Sequence, residues 1–420
     1  MNNEFVHRLQ QICTDILAVS RSIRVLTHLG WPLSVRETFF ANGCRELPAP
    51  EYADYDAAPI VEELKRIGSR LDFDQQINEW LLRILTRFET TALMLQSCGT
   101  RKFFEYSSDL YGFPKQVLAD SQNSPIELAE QFSSAFNELC KIDLGAPAQA
   151  NLSSQQVASS MERAVAEMFG DQAPDVVVVD KLSANALAGS KRIRIRREAM
   201  FTDRDVYQLI EHEAAVHVGT SLNGLNQPIL KVLATAHPGT TRTQEGLAVF
   251  AEFISGSIDL DRFRRLADRI IAIQMAVDGA DFLQVFEFYR EQGVDEIQAF
   301  ENTRRVFRGG VLKGGAPFTK DIVYLDGLLR VHNFLRTMVS VDRAGYIRLL
   351  FCGKLDLEDL PILARLHKEG ICATPRYLPS WASDLRFLLC YLSYSLFLNR
   401  IDLSQVRENY RELLLSLPEI

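Results

Sequence analysis

Apolar residues recur at helical spacing along most of the chain. Near the start, Phe5, Leu9, Ile12 and Ile16 fall on one helix face. The stretch "EWLLRILTRFETTALMLQSCG" (79–99) predicts a strong helix that stops at its glycine. In "SPIELAEQFSSAFNELC", Ser124 is placed to cap a helix, with Pro125 in the first turn and Glu127 three residues past the cap. Three prolines between Gly43 and Pro59 predict a loop. The texture changes after "LGAPAQANLSS" (144–154), which reads as a linker. "DVVVVD" (175–180) is a β-branched run that predicts a buried strand, and "KRIRIRR" (191–197) alternates base and isoleucine at strand period. Basic residues facing outward suit an edge strand guarded against aggregation, which is the preferred reading; a basic rail for an acidic partner is compatible with it. Thr202 and Asp205 then form a capping-box pattern, and Val206, Leu209 and Ile210 give an apolar helix face. A helix therefore follows a strand, and helical spacing resumes to the C-terminus. The pattern predicts an α+β fold, mostly helical, with a small sheet. It divides into a helical region over 1–143, a core over 155–345 and a C-terminal helical region over 346–420 packing on that core.

The helix after the strand carries "QLIEHEAAVHVGT", with His212, Glu213 and His217. The common zinc-peptidase helix separates its histidines by four positions; here the step is five. On a regular α-helix a step of four puts two side chains roughly 40° apart, and a step of five roughly 140° apart. A single metal ion needs both imidazoles at about 2 Å. A shared metal therefore requires a π-bulge or a loosened helix end, and Ala214 and Ala215 leave room for one. The alternative is a polar helix face that carries two of the chain's seven histidines by coincidence.

Composition narrows the chemistry. The 420 residues have a formal net charge of −8, which argues against a general nucleic-acid-binding surface. Seven cysteines without a C-x-x-C pair suit reduced thiols in a cytoplasm, so any metal must be held by histidine and carboxylate. The start has no basic-then-apolar signal pattern. The most apolar stretch near the end, Phe387 to Leu398, has 12 residues and is too short to span a bilayer.

A second stretch bears on the metal question. "TRTQEGLAVFAEF" (241–253) contains Gln-Glu-Gly-Leu-Ala, which resembles the segment that supplies the glutamate ligand in gluzincin aminopeptidases. By that resemblance Glu245 is a ligand, and Gly246 lets its helix pack close to a neighbour. Glu252 is a weaker candidate, read as supporting the site or lying at the surface. His237, in "AHPGTT", reads as loop surface, with substrate orientation as the other option. Together with "NQP" (226–228), "RVFRGG" (305–310) and "FTKDIVYLDGL" (318–328), these stretches resemble the microtubule-associated tyrosine carboxypeptidases and their bacterial relatives, the flavohaemoglobin expression-modulating QEGLA motif proteins. The resemblance covers roughly 176–350.

The resemblance implies a gluzincin-like zinc metallopeptidase core. His212, His217 and Glu245 would hold Zn²⁺, and Glu213 would be the general base that activates water. Tyr324 is a candidate oxyanion donor, the alternative being a core tyrosine. Arg305, Arg308 and Lys320 are candidates for binding a substrate carboxylate, with Arg304 beside them; the alternative is a solvated basic patch. The expected activity is release of a C-terminal residue from a peptide or protein. An aminopeptidase, an amidase on a non-peptide substrate, a regulatory protein retaining the zinc fold and a metal-free helical scaffold are the other readings. The sequence does not determine the oligomeric state.

Overall fold

The computed structural model describes residues 3–118, 122–139, 141–143, 145, 149–180, 182 and 184–417. Residues 144 and 146–148 of the expected linker lie outside the described residues. The fold is helical with two small sheets. The first helix runs Asn3–Ser20 and buries Leu9, Ile12 and Ile16, as the spacing predicts. The helix expected from Glu79 starts earlier, at Gln75, because the Asp74 carboxylate accepts the amides of Gln76 and Ile77; it runs to Gln96. Ser124 caps Pro125–Leu139 with Glu127 reaching back to its amide at 2.7 Å. The prolyl loop ends at Ala57, and Pro59 already lies in the first turn of Ala58–Gly68.

Among the described residues five short strands follow: β1 (Leu152–Ser153), β2 (Asp175–Val179), β3 (Ala186–Ala188), β4 (Arg192–Arg196) and β5 (Met200–Phe201). β1 pairs antiparallel with β5. The other sheet has the order β2–β4–β3, with β4 parallel to β2 and antiparallel to β3. This corrects the edge-strand reading, because β4 is the central strand. β3 covers the side that the basic pattern suggested was open, and β3 itself is an edge. The alternation within β4 holds: Ile193 and Ile195 are fully buried, while Arg192 and Arg194 are exposed. Ile193 packs with Met161, Val165 and Phe169, and Ile195 with Val157 and Phe201, so one sheet face lies on the helix Ser154–Phe169.

The largest core joins all three stretches of the chain. Leu9, Ile12 and Trp80 share it with Leu247, Phe250, Val331 and Leu388. At its centre the helix Pro238–Ile254 crosses the helix Val323–Ser340. Gly246 and Gly327 meet at the crossing. A Cβ added to Gly246 would collide with the Gly327 carbonyl, and one added to Gly327 with the Arg242 carbonyl. Glycine is thus required for the close approach expected of Gly246. No helix among the described residues is long and apolar enough to cross a membrane.

Candidate metal centre and its cleft

Thr202 caps the helix Asp203–Leu209, with Asp205 returning a bond to the Thr202 amide at 2.8 Å. The helix then widens to π geometry over Ile210–Val218 and returns to α over Gly219–Leu225. Bonds from i to i+5 bring residues five apart into line, as i to i+4 bonds do in an α-helix. His212 and His217 therefore face each other, with ring centroids 4.8 Å apart. Two contacts fix the widened turn from either side. Val216 belongs to the main helical core, whereas Ala214 and Val218 pack against the sheet. Lys354 donates to the His217 carbonyl at 3.0 Å, to Thr220 Oγ1 at 2.9 Å and to Gln244 Oε1 at 3.1 Å, tying the π turn to the helix that carries Glu245.

His212, His217 and Glu245 present ligand atoms that all lie within 4.8 Å of one another. Glu245 Oε2 is 3.6 Å from His212 Nε2 and 3.4 Å from His217 Nε2. Two ligands each about 2.0–2.1 Å from one ion at a tetrahedral angle stand about 3.3 Å apart, so the donor set fits a single zinc-sized ion. The second nitrogen of His212 is engaged as well: Nδ1 lies 2.6 Å from Glu252 Oε1. Glu252 is fully buried and receives a bidentate fork from Arg262, both bonds at 2.9 Å. Of the two readings for Glu252, support of the site is the one realised; it aligns the imidazole with Nε2 turned inward.

The electrostatics follow from burial and these pairings. Burial opposes charge on His212, but the carboxylates of Glu245 and Glu252 outweigh it and push the ring up to about 10. Burial prevails at His217, which is held below its ordinary value. Burial also works against the Glu245 carboxylate, yet Lys320 and the two histidines keep it well below the usual range. Metal uptake would displace a proton from this set.

Glu213 projects from the π turn beside the ligands, and its Oε2 accepts the Ala188 amide of β3 at 3.0 Å. Tyr324 stands across the cleft, its oxygen accepting from Arg305 Nη2 at 3.4 Å. The expected carboxylate binders differ in availability. Arg305 forks onto Asp321 at 2.5 and 2.8 Å, and Lys320 lies 3.3 Å from Glu245. Arg308 caps the C-terminal end of the helix Glu296–Phe307 with its amide still bonded to the Arg304 carbonyl at 2.8 Å, so it sits about one turn from Arg305, and both line the same cavity. It lies over the Phe318 ring at 5.6 Å and has no ion pair among the described residues. Arg304 pairs with Glu301. His237 lies apart from this group. It is buried at the start of the helix Pro238–Ile254 against Phe88, at 5.2 Å, and burial pushes it down to about 4; the loop-surface reading is corrected.

Two cavities open from the centre, one of about 720 Å³ and one of about 350 Å³. Ala184, Ala186, His212, Glu213, Arg305 and Tyr324 line both. Arg308, Lys320, Lys354 and Arg194 of β4 line only the larger, so one residue of the basic rail reaches the cleft. Asp321, Arg262 and Lys354 were not singled out from sequence. Asp321 stands inside a quoted motif, but its pairing with Arg305, sixteen positions away, exists only in the fold.

Comparison with known proteins places these observations. No curated protein matches the chain. A solved structure described as "the putative lipoprotein from Colwellia psychrerythraea" is similar at 16% identity, over 80% of this chain and 66% of that one, with a TM-score of 0.41. The sequence model of the microtubule-associated tyrosine carboxypeptidases matches residues 37–400, a span that contains the histidine turn, the Gln-Glu-Gly-Leu-Ala helix and the Tyr324 helix. With most of its length matched, the chain belongs to the microtubule-associated tyrosine carboxypeptidase family.

Proposed function

We propose that this protein is a zinc-dependent carboxypeptidase with a gluzincin-like core, acting on the C-terminus of a peptide or protein. The observation that carries the proposal is the π turn, which aligns His212 and His217 on Glu245 at the spacing one ion requires. Zinc held by these three side chains would supply Lewis acidity, polarising the scissile carbonyl and acidifying water. Glu213, fixed by the Ala188 amide, takes a proton from the attacking water and passes it to the leaving amine. The Tyr324 oxygen already accepts a bond from Arg305, which leaves its hydroxyl hydrogen free to donate to the developing oxyanion. Arg305 and Lys320 act on the substrate carboxylate through their field, since each already has a carboxylate partner, and Arg308 is free to bind a carboxylate elsewhere along the peptide. The presence of Glu213 favours catalysis over a purely structural metal, which would need no base and would be closed by a fourth ligand.

The test joins metal analysis to product analysis. Purified protein is expected to hold about one zinc per chain, by the ligand count of catalytic zinc sites. Incubation with a C-terminally varied peptide library, read by mass spectrometry, should show loss of single C-terminal residues. Release from the N-terminus, or cleavage within the chain, would overturn the carboxypeptidase assignment.

A further inference from the structure

The cleft carries more positive charge than its own carboxylates neutralise, and the surplus is divided between its two cavities. Arg262 is forked onto Glu252 and Arg305 onto Asp321, while Lys320 faces Glu245. Arg308 and the exposed Arg194 in the larger cavity, and Arg265 and Arg269 in the smaller, are left without a fork, and of the last two Arg269 is the one that lies over the Tyr324 ring. The nearest carboxylate oxygen to Arg269 is Asp321 Oδ2, at 3.9 Å, and that oxygen already accepts Arg305 at 2.5 Å. Arg308 lines only the larger cavity and Arg269 only the smaller. Arg269 comes from the helix Leu260–Val277, and its side chain is 19% exposed. Its guanidinium lies 4.8 Å from the centre of the Tyr324 ring, beside the wall that both cavities share with Glu213. A largely buried guanidinium with only a long, shared carboxylate contact is unfavourable, and an arriving carboxylate relieves it through two charge-assisted bonds.

Size gives the direction. The smaller cavity, at about 350 Å³, has the room of about a dozen waters, enough for one amino-acid residue. The larger has twice that and takes several. An enzyme that releases one residue needs the small space on the C-terminal side of the scissile bond. β3 runs past both, with Asn185 just before it on the smaller cavity and Leu187 and Ala188 on the larger. We infer that the smaller cavity receives the last residue of the peptide and that Arg269 binds its α-carboxylate, while Arg308 meets acidic residues upstream. The peptide then lies antiparallel to β3. This assignment rests on the peptidase reading above.

The experiment measures binding separately from hydrolysis. Protein carrying Glu213→Gln is immobilised and offered one pool of acetylated hexapeptides, prepared both as free acids and as amides. Retention is read by mass spectrometry. Free acids should be retained about ten- to hundredfold over amides, the scale of charge-assisted bonds. Adding Arg269→Gln should bring the ratio to about one, and Arg269→Lys, which keeps the charge and loses the fork, should leave an intermediate ratio. Arg308→Gln should keep the acid-to-amide ratio and lower the retention of peptides with acidic residues upstream. Equal retention of acids and amides, a ratio that survives Arg269→Gln, or one that falls with Arg308→Gln overturns the assignment. Failure of the peptidase reading is distinct. If the unmodified protein cuts none of these peptides while free-acid retention still depends on Arg269, the binding site stands and hydrolysis falls.

Discussion

His212 is held at both ring nitrogens, by Glu252 at Nδ1 and by the convergence with Glu245 at Nε2. The two contacts have different consequences when removed. His212→Ala and Glu245→Ala delete donors, and each should lose most of the bound zinc on elemental analysis. Glu252→Gln keeps all three ligands and loses only the buried carboxylate behind the imidazole. It is expected to weaken zinc binding about 10- to 100-fold, the usual effect of a supporting partner, in competition with a chelator. Unchanged affinity would reduce Glu252 to an anchor for Arg262. Glu213→Gln should behave in the opposite way. Its carboxylate accepts an amide and touches no ligand atom among the contacts described, so zinc should stay near one per chain while turnover falls by about 10²-fold or more. Loss of zinc from that variant would make Glu213 a ligand and remove the base from the mechanism.

At the scale of elements, the site depends on one irregular helix and one close helix crossing. Gly327→Ala puts a methyl group against the Arg242 carbonyl, and the helices must separate to accept it. Such overpacking costs about 1–3 kcal/mol. Glu245 sits beside the crossing, so the variant should also release zinc more readily than a surface variant of equal stability; urea unfolding and zinc release read the two effects. Much of this was legible in the sequence. The capping patterns at Ser124 and Thr202 are local and appear as expected. The five-residue step could be satisfied only by a departure from α geometry, and Ile210–Val218 supplies one. What was not legible depends on partners distant in the chain. β4 shows the alternation of an edge strand because one face is buried and the other is basic, a pattern that does not report its neighbours. The strand that covers it, Ala186–Ala188, is three small or aliphatic residues without a strand signal of its own. In the same way "RVFRGG" reads as a free basic cluster until the fold brings Asp321 under Arg305.

The whole molecule sets how much of the chain the metal centre needs. The helix Asn3–Ser20 precedes the family match at residue 37, yet it buries Leu9, Ile12, Cys13 and Ile16 completely in the core that also holds Leu247 and Val331. Emptying one such aliphatic position costs about 2–5 kcal/mol. Losing three of them together rivals the total stability of about 5–15 kcal/mol available to a domain. The last helix, Leu403–Leu415, follows the match at residue 400 and buries none of its residues. Changes at such unburied positions alter stability by about 0.5 kcal/mol or less. Two truncations at opposite ends should therefore have opposite outcomes. A chain ending at Arg400 should melt within about 1–2 °C of the full protein and keep its zinc, since about 0.5 kcal/mol moves the melting temperature no further in a protein of this size. A chain starting after Ser22 removes a similar length and should fail to give a cooperative thermal transition or to hold stoichiometric zinc. Retention of both properties by the second chain would show that the first helix is not required for the core around the Glu245 helix. Their loss from the first would show that Leu403–Leu415 has a structural partner its burial does not reveal.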